Sequence, residues 1–318
     1  MSNNYTLQLM DDRIDNVIDF IKFLSEHQGQ DIRITVNQES HCLKTLGIYK
    51  LVDCFKFNTV TFDTSNAIEH HDVYIINRVK WYRWLMKAYR FDHQFDYSWD
   101  RSKIFGCFYG RPTAARLGIA GHLHKNHSGQ SLIKLCFDTN SEDSRKNFEI
   151  QKLYGWNNDL SAVVDMLGNI DQYTSEYRAY DYNTYYYDWS NGLGYLYKHI
   201  FVDLVVEANL LGDSFYPTEK LARAILCRKP FIVMAPKNYL RYLQQIGFQT
   251  FSDIWDESYD LYGSKNRYDY IIALIDSIAK LTPDELIQLN NKIKGIVEHN
   301  YQLLVSRKFN KNVIKYND

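Results

Sequence analysis

Glu219 and Lys220 form a charged pair where a helix is predicted to begin, in the segment SFYPTEKLARAILCRKPFIVMAP at residues 214–236. A helix N-terminus presents unpaired N–H groups and partial positive charge, which bind anions. A lysine adds a full charge for a diphosphate, and a carboxylate can accept hydrogen bonds from ribose hydroxyls. We therefore predict that the pair binds a nucleotide. The alternative is a plain helix start, with Thr218 as N-cap, Glu219 as a first-turn acid and Lys220 solvated.

Four more charged residues lie where they could complete such a site. Arg111 and Arg116 follow a predicted strand in GRPTAAR and could face a diphosphate or a nucleic-acid backbone; alternatively, they pair with surface carboxylates. Arg223 lies one helical turn beyond Glu219 and is either a helper or an ordinary surface arginine. Glu207 ends the apolar LVVE strand, where open α/β sheets place ligands; the alternative is a solvated strand end.

Chemistry on a bound nucleotide would need a base for an acceptor hydroxyl, or a group that steadies the leaving phosphate. Asp72, His71 and Asp92 are the candidates we select, from the segments EHHDVY and RFDHQFD, both predicted to be loops. The same segments offer three further candidates, His70, His93 and Asp96. The alternative is that these are ordinary surface-loop residues.

No metal site is predicted. The His70–His71 pair has no third ligand at suitable spacing. GHLHKNH contains His122, His124 and His127, but His122 and His124 are two positions apart and do not share a helix face. The sequence also contains no GxSxG, HExxH or GxxxxGK[ST] motif.

The elements around these residues alternate between strand and helix, which predicts a parallel, doubly wound α/β architecture. Two domains are predicted, at residues 1–190 and 195–318, separated by a tyrosine-rich stretch, with the last helix packing back on the first domain. The motif TPDE at residues 282–285 predicts that helix's start through a capping box. The predicted strands are DIRITV, FNTVTFD, DVYIINR, KIFGCFYG, SLIKLCFD, IFVDLVVEAN and KPFIVMA; helices are predicted after Asp11 or Asp12, near residues 40–50, and at 111–125, 217–226, 237–247 and 268–281.

The composition is that of a globular protein, with 45% hydrophobic and 24% charged residues among 318. A net charge of −1 argues against a histone-like basic protein but allows a local basic cleft. Five scattered cysteines without a CxxC motif argue against a disulfide framework. No secretory signal and no apolar run long enough to span a membrane are visible. We therefore expect a cytoplasmic protein that does not bind membranes.

The stretch from residue 201 to 281 resembles nucleotide-sugar glycosyltransferases of the two-Rossmann GT-B type. Fucosyltransferases carry a comparable TEK before a small-residue helix. Glycosyltransferase-like proteins of tailed phages are more similar still, because TEKLARAILCRKPF, YLQQIGFQTF and DESYD occur here in the same order as in that group. Arg228 stands where that group has glycine. KIFGCFYGRPTAARLGIAGHLHKN resembles the strand, arginine-containing turn and helix of the same group, with Tyr109 in place of the expected asparagine.

The resemblance implies two Rossmann-like domains that face each other across a cleft. It implies transfer of a sugar from a nucleoside diphosphate sugar, a UDP-sugar in the first instance, with no permanently bound cofactor. Glu219 would hold the ribose and Lys220 the phosphates. The phage group implies double-stranded DNA with hydroxymethylated bases as the acceptor, glucose or arabinose as the sugar, and the host cytoplasm as the location. A surface glycan, a lipid-linked or a protein acceptor, and a non-catalytic nucleotide- or nucleic-acid-binding protein, remain alternatives.

Overall fold

The chain folds around two separate parallel β-sheets, each with its own apolar core. The structure is a computed structural model. It describes residues 3–10, 13–14, 16–36, 42–64, 66, 71, 73–77, 98–110, 112–135, 159–173, 194–207, 209–212 and 214–309.

The first sheet has the strand order β1-β4-β5-β6, and every neighbouring pair is parallel. Its buried side chains alternate with wholly or partly exposed ones along β4 and β5, so one face builds the core with Phe20, Leu24 and Tyr49. A short antiparallel pair, β2–β3, follows β1. The strands are β1 (Asn3–Leu7), β2 (Leu9–Met10), β3 (Arg13–Ile14), β4 (Asp31–Val36), β5 (Thr59–Thr64) and β6 (Ile75–Asn77), with helices α1 (Val17–Glu26) and α2 (Ile48–Val52).

The second sheet has the order β10-β9-β7-β8 and is also wholly parallel. Its two central strands are buried nearly throughout, as expected where helices cover both faces of a sheet. Its strands are β7 (Lys103–Tyr109), β8 (Ser131–Leu135), β9 (Ile200–Val206) and β10 (Phe231–Met234). The accompanying helices are α3 (Ala114–His127), α4 (Leu160–Gly168), α5 (Glu219–Leu226), α6 (Tyr239–Gln245), α7 (Ser264–Ala279) and α8 (Pro283–Ser306).

The parallel α/β architecture predicted from the sequence is confirmed, and α8 begins with the predicted capping box between Thr282 and Glu285. The boundary predicted at residues 190–195 falls inside the second sheet, because β7 and β8 precede it whereas β9 and β10 follow it. The division between the two cores instead lies between β6 and β7. The last helix packs on α5, and its buried residues belong to the second core.

Two predicted helices near the N-terminus differ from expectation. Helix α1 begins at Val17 after Asn16, and Asp11 and Asp12 lie outside the described residues. Its buried side chains are Phe20 and Leu24, whereas Ile18 is 75% exposed. The helix expected near residues 40–50 is only the short α2. Within the described residues, no helix combines the length and apolar character that crossing a bilayer requires.

Candidate functional site

The carboxyl edge of the second sheet contains a topological switch point. From β7 the chain passes through α3 to β8 on one side, whereas from β9 it passes through α5 to β10 on the other. The connections therefore diverge between the neighbouring strands β7 and β9. Such a crevice, outside the carboxyl ends of the strands, is where open α/β sheets bind ligands. Both α3 and α5 begin at this edge.

Two buried arginines cross the switch point in opposite directions. Arg116 of α3 donates through Nη2 to the carbonyl oxygen of Val206, the last residue of β9, at 2.9 Å. Arg223 of α5 donates through Nη2 to the carbonyl oxygen of Phe108 in β7, at 3.4 Å. The two arginines are 2% and 5% exposed, so neither is an ordinary surface arginine. They hold positive charge directly beneath the edge and tie each helix to the opposite strand.

Thr218, Glu219 and Lys220 lie together at the start of α5. Thr218 is the N-cap, since its Oγ1 accepts from the backbone N–H of Lys220 at 3.3 Å. Lys220 Nζ donates to Thr218 Oγ1 at 3.1 Å and to Glu219 Oε1 at 2.8 Å. The side chains of Lys220 and Glu219 are only 16% and 10% exposed. The cap alternative is thus correct for Thr218, whereas Lys220 is not the solvated side chain that this alternative required.

The charges around Glu219 keep it ionised despite its burial. Desolvation would raise the pKa of its carboxyl, but the positive charges of Lys220 and Arg223 lower that pKa to about 2. A carboxylate held ionised at neutral pH is a hydrogen-bond acceptor only. Glu219 can therefore accept from hydroxyl groups such as those of a ribose, while Lys220 offers a cation beside it.

Glu207 lies beneath this cluster and connects α5 to α6. Its Oε2 accepts from Thr218 Oγ1 at 2.5 Å, and its Oε1 accepts from the Thr218 backbone N–H at 3.1 Å and from Tyr239 Oη at 2.9 Å. The residue is 2% exposed, so it is not a solvated strand end. Burial raises its pKa, although Lys220 and the Thr218 hydrogen bonds oppose that effect. Glu207 positions the start of α5.

Two buried polar neighbours of the cluster, Tyr239 and Asp203, were not predicted from the sequence. Tyr239 follows β10 and reaches Glu207 across the edge, a contact that only the pairing of β9 with β10 creates. Asp203 lies inside β9, where Tyr197 Oη donates to it at 2.6 Å. Burial raises the pKa of Asp203 to about 6, against the opposing charges of Arg223 and Lys229. A carboxylate within the apolar run IFVDLVV was the only signal available.

The DESYD motif stabilises the fold and does not itself form part of the candidate ligand site. Asp260 accepts from the backbone N–H groups of Leu240 and Arg241 at the start of α6. It also accepts from Arg267 Nη2 at 2.9 Å, and the Arg267 side chain is completely buried. Arg267 further donates to the carbonyl oxygens of Tyr259 and Ala235. The motif therefore fixes α6, and with it Tyr239.

Arg228, which follows the end of α5, has a left-handed backbone with φ of 49°. Glycine adopts this conformation at no steric cost, whereas arginine does so with strain. Here the side chain adds two contacts with α8. Arg228 Nε donates to Glu298 at 2.8 Å, and the guanidinium lies 3.5 Å above the centre of the Tyr301 ring. Arg228 thus joins the end of α5 to α8.

Among the predicted bases, the structure describes only His71. His71 precedes β6 and contacts Tyr49 and Tyr74, with its ring stacked on that of Tyr74 at 4.3 Å. Its Nδ1 accepts from the backbone N–H of Val73 at 3.2 Å, which in a neutral imidazole leaves the proton on Nε2. The remaining candidates Asp72, Asp92, His70, His93 and Asp96 lie outside the described residues, as does Arg111.

The two sheets meet near the same edge. Asn66, which follows β5, accepts through Oδ1 from the backbone N–H of Phe215 at 3.1 Å. Gly212, with φ of 72°, packs so closely against Cys42 that an added Cβ would lie 2.7 Å from the Cys42 Cβ. Asn66 follows β5, Gly212 and Phe215 follow β9, and Cys42 follows β4. The carboxyl-end connections of both sheets therefore touch beside the α5 cluster.

Neither a known protein-family model nor any curated protein sequence matches this chain.

Proposed function

We propose that this protein is a glycosyltransferase of GT-B type, which transfers a sugar from a nucleoside diphosphate sugar to an acceptor hydroxyl. The donor nucleotide lies at the carboxyl edge of the second sheet, and the acceptor enters from the side of the first sheet. The single observation that carries this proposal is the Glu219–Lys220 pair, largely buried at the start of α5 with Arg116 and Arg223 beneath it.

Each residue of the cluster has a role in donor binding that its chemistry supports. Lys220 neutralises the diphosphate together with the N–H groups at the start of α5. Glu219, which its cationic neighbours keep ionised, accepts hydrogen bonds from the ribose hydroxyls. Arg116 and Arg223 add positive potential from below, and Thr218 and Glu207 hold the helix start in place. A diphosphate with its charge neutralised in this way is a better leaving group.

In the reaction, the acceptor oxygen forms a bond to the anomeric carbon of the sugar as the bond to the diphosphate oxygen breaks. The acceptor's proton passes to a base, and the leaving diphosphate takes the bonding electron pair. Asp72 and Asp92 remain the candidates for this base, together with His71 if its ring releases the Val73 N–H. The contact of Asn66 with Phe215 supports an approach of the acceptor from the first sheet.

The proposal is tested by incubating the purified protein with a panel of nucleotide sugars, UDP-sugars first, and measuring release of nucleoside diphosphate. Duplex DNA that contains hydroxymethylcytosine serves as the acceptor, and unmodified DNA of the same sequence serves as the control. We expect diphosphate release that depends on the hydroxymethyl group. Binding of the nucleotide without turnover on any acceptor would identify a nucleotide-binding protein instead.

Lys220→Ala separates the ligand-binding role of Lys220 from its role in the helix start. Loss of one charge-assisted contact should weaken UDP binding by about 10- to 100-fold, measured by titration calorimetry. Lys265→Ala, which removes an exposed lysine near the start of α7, should leave binding unchanged. A Lys220→Ala variant that melts earlier but binds UDP as tightly as the original protein would show that the pair only caps the helix.

A further inference from the structure

Three ligand-type side chains converge between α3 and α7, away from the α5 cluster. His122 Nε2 and His127 Nε2 each lie 2.7 Å from the same carboxylate oxygen, Oδ1 of Asp276. One ligand atom from each of the three residues lies within 4.8 Å of the other two. The side chains of His122, His127 and Asp276 are 18%, 14% and 38% exposed. The three side chains are thus partly buried, and solvent still reaches them.

The convergence depends on a departure from helical geometry. Residues five apart on a regular helix point about 140° away from each other. His127, however, has φ of −138° and ψ of 28°, since the backbone leaves the α-helix there for a short 3-10 turn at Ser128–Gln130. This turn brings the His127 ring to within 5.4 Å of the His122 ring, between centroids. The two rings that lie close together are therefore those of His122 and His127, and not those of His122 and His124.

The third member of the group is fixed by the packing of α3 on α7. An added Cβ on Gly118 would lie 2.7 Å from Tyr268 Oη, so glycine is what allows this close approach of the two helices. Gln130 Nε2 also donates to the carbonyl oxygen of Ala279 at 3.0 Å. Tyr268 and Ala279 lie on either side of Asp276 along α7. Their contacts with Gly118 and Gln130 therefore hold Asp276 beside the two imidazoles.

We propose that His122, His127 and Asp276 bind a divalent transition-metal ion of the zinc class. Two imidazole nitrogens and one carboxylate oxygen are ligands that such ions accept. The nitrogen majority disfavours Mg²⁺ and Ca²⁺, which prefer all-oxygen sites. The partial exposure of the group leaves space for water as the fourth ligand. The bound ion clamps α3, which carries Arg116, to α7.

The geometry needs only a small adjustment to accept the ion. Tetrahedral zinc with nitrogen ligands at about 2.0 Å places neighbouring ligand atoms about 3.3 Å apart. This separation lies between the 2.7 Å contacts with Asp276 and the 4.8 Å limit of the group. Asn126 Nδ2 lies 3.1 Å from His122 Nδ1. Metal binding at Nε2 moves the His122 proton to Nδ1, and the Asn126 amide then turns its oxygen towards it.

His124 is the matched control because it lies on the same helix and binds elsewhere. Its Nε2 lies 2.8 Å from Asp165 Oδ2, and its Nδ1 lies 2.5 Å from Tyr173 Oη. Both ring nitrogens thus have partners that belong to other parts of the chain. Replacement of His124 disturbs α3 to a similar degree as replacement of His122, without removing a proposed ligand.

The test uses the full, untagged chain after treatment with a chelator, titrated with Zn²⁺ by calorimetry and with Co²⁺ by visible absorption. We expect one ion per chain. His122→Gln, His127→Gln and Asp276→Asn should each weaken Zn²⁺ binding by about 100-fold or more, since loss of a mere outer-shell partner already costs about 10- to 100-fold. His124→Gln should bind Zn²⁺ as the original chain does.

A second measurement needs no variant and covers the case in which a variant fails to fold. Histidine acylation by diethyl pyrocarbonate is mapped by mass spectrometry with and without Zn²⁺. We expect Zn²⁺ to protect His122 and His127 but not His124 or His299. Absence of stoichiometric Zn²⁺ binding, equal protection of all four histidines, or equal loss of binding in His124→Gln would overturn the proposal. None of these results bears on the glycosyltransferase proposal.

Discussion

At the scale of single residues, Thr218 joins the start of α5 to the buried carboxylate of Glu207. Its hydroxyl donates to Glu207, and it accepts from both the backbone N–H and the Nζ of Lys220. Three roles therefore depend on one oxygen: it caps the helix, satisfies a buried acid and orients the lysine proposed to bind diphosphate. This makes Thr218 the residue at which stability and ligand binding are most closely connected.

Thr218→Val should destabilise the protein by about 2–3 kcal/mol, because it removes an N-cap and leaves Glu207 short of a buried donor without creating a cavity. Thr218→Ser keeps the hydroxyl and should cost about 1 kcal/mol or less. Urea unfolding of the two variants gives the comparison. A Thr218→Ser variant that loses more stability than Thr218→Val would mean that the methyl group, and not the hydroxyl, is what matters at this position.

The raised pKa of Glu257 makes the stability of the protein depend on pH. Burial, aided by the nearby Asp260 and Asp253, raises the pKa of Glu257 to about 7, although hydrogen bonds from Thr250 and the Phe251 backbone oppose this. An acid whose pKa is higher in the folded chain binds more protons when folded. Its stabilising contribution is therefore fully present below the ordinary value of 4.5 and is lost as pH rises through about 7.

Glu257→Gln removes this titration while keeping an oxygen that can accept from the Phe251 N–H. In the original chain, the free energy of unfolding should fall by about 2–3 kcal/mol between pH 4.5 and pH 7 from this residue. In the variant, the free energy of unfolding should fall less steeply with pH. The comparison is made above pH 6, because Asp203, whose pKa is about 6, is largely ionised there and adds less to the slope. Urea unfolding across this range measures the slope; parallel slopes in both proteins would contradict the account.

At the scale of elements, α3 is the helix that connects the two proposed sites. Its first half carries Arg116, which reaches β9, and its second half carries His122 and His127, which reach α7. Gly118 lies between them, where α3 packs against Tyr268 of α7. A change in how α3 packs on α7 should therefore affect both halves.

Gly118→Ala tests this packing. Its Cβ would lie 2.7 Å from Tyr268 Oη, and Tyr268 is 2% exposed and surrounded by core. We expect a loss of about 1–3 kcal/mol in unfolding free energy through overpacking, measured by denaturant unfolding. Gly129→Ala is the control, since nothing lies within 4 Å of its added Cβ. A Gly118→Ala variant as stable as Gly129→Ala would show that the two helices can separate freely.

Elements with strong local signals were predictable, and those that depend on distant partners were not. The alternation in DIRITV gave β4, and TPDE gave the start of α8, because hydrophobic period and capping are encoded by neighbouring residues. The TEK segment similarly gave the start of α5. The pairing of Asp276 with His122 joins residues 154 positions apart, and no spacing within α3 encodes it. The segment GHLHKNH contains His127 as well, but its spacing does not encode the departure from the helix that brings this ring close to His122.

At the scale of the whole molecule, the two cores are joined beside the proposed donor site. The sequence placed the boundary at residues 190–195 because the tyrosine-rich stretch interrupts the pattern there. Pairing of β7 with β9 instead unites segments on both sides of that stretch in one sheet, since β-pairing is non-local. In the described part of the chain, the segments that follow strands of the first sheet contact the second unit at Asn66 and Cys42.

Asn66→Ala should loosen this contact. The Phe215 backbone N–H, which now donates to Asn66 Oδ1 at 3.1 Å, would lose that acceptor. We expect faster hydrogen–deuterium exchange of the peptide that contains Phe215, by about tenfold for a hydrogen bond of about 1.4 kcal/mol. Asn169→Ala, at the end of α4, should leave that peptide unchanged. Unchanged exchange in Asn66→Ala would mean that the two units meet through other residues.

The most direct test of the central claim is the position of UDP in a crystal of the full chain. We expect its diphosphate at the start of α5, with a phosphate oxygen about 3 Å from Lys220 Nζ and the ribose hydroxyls within hydrogen-bonding distance of Glu219. UDP bound at any other place, with the α5 cluster still occupied by its internal contacts alone, would contradict it.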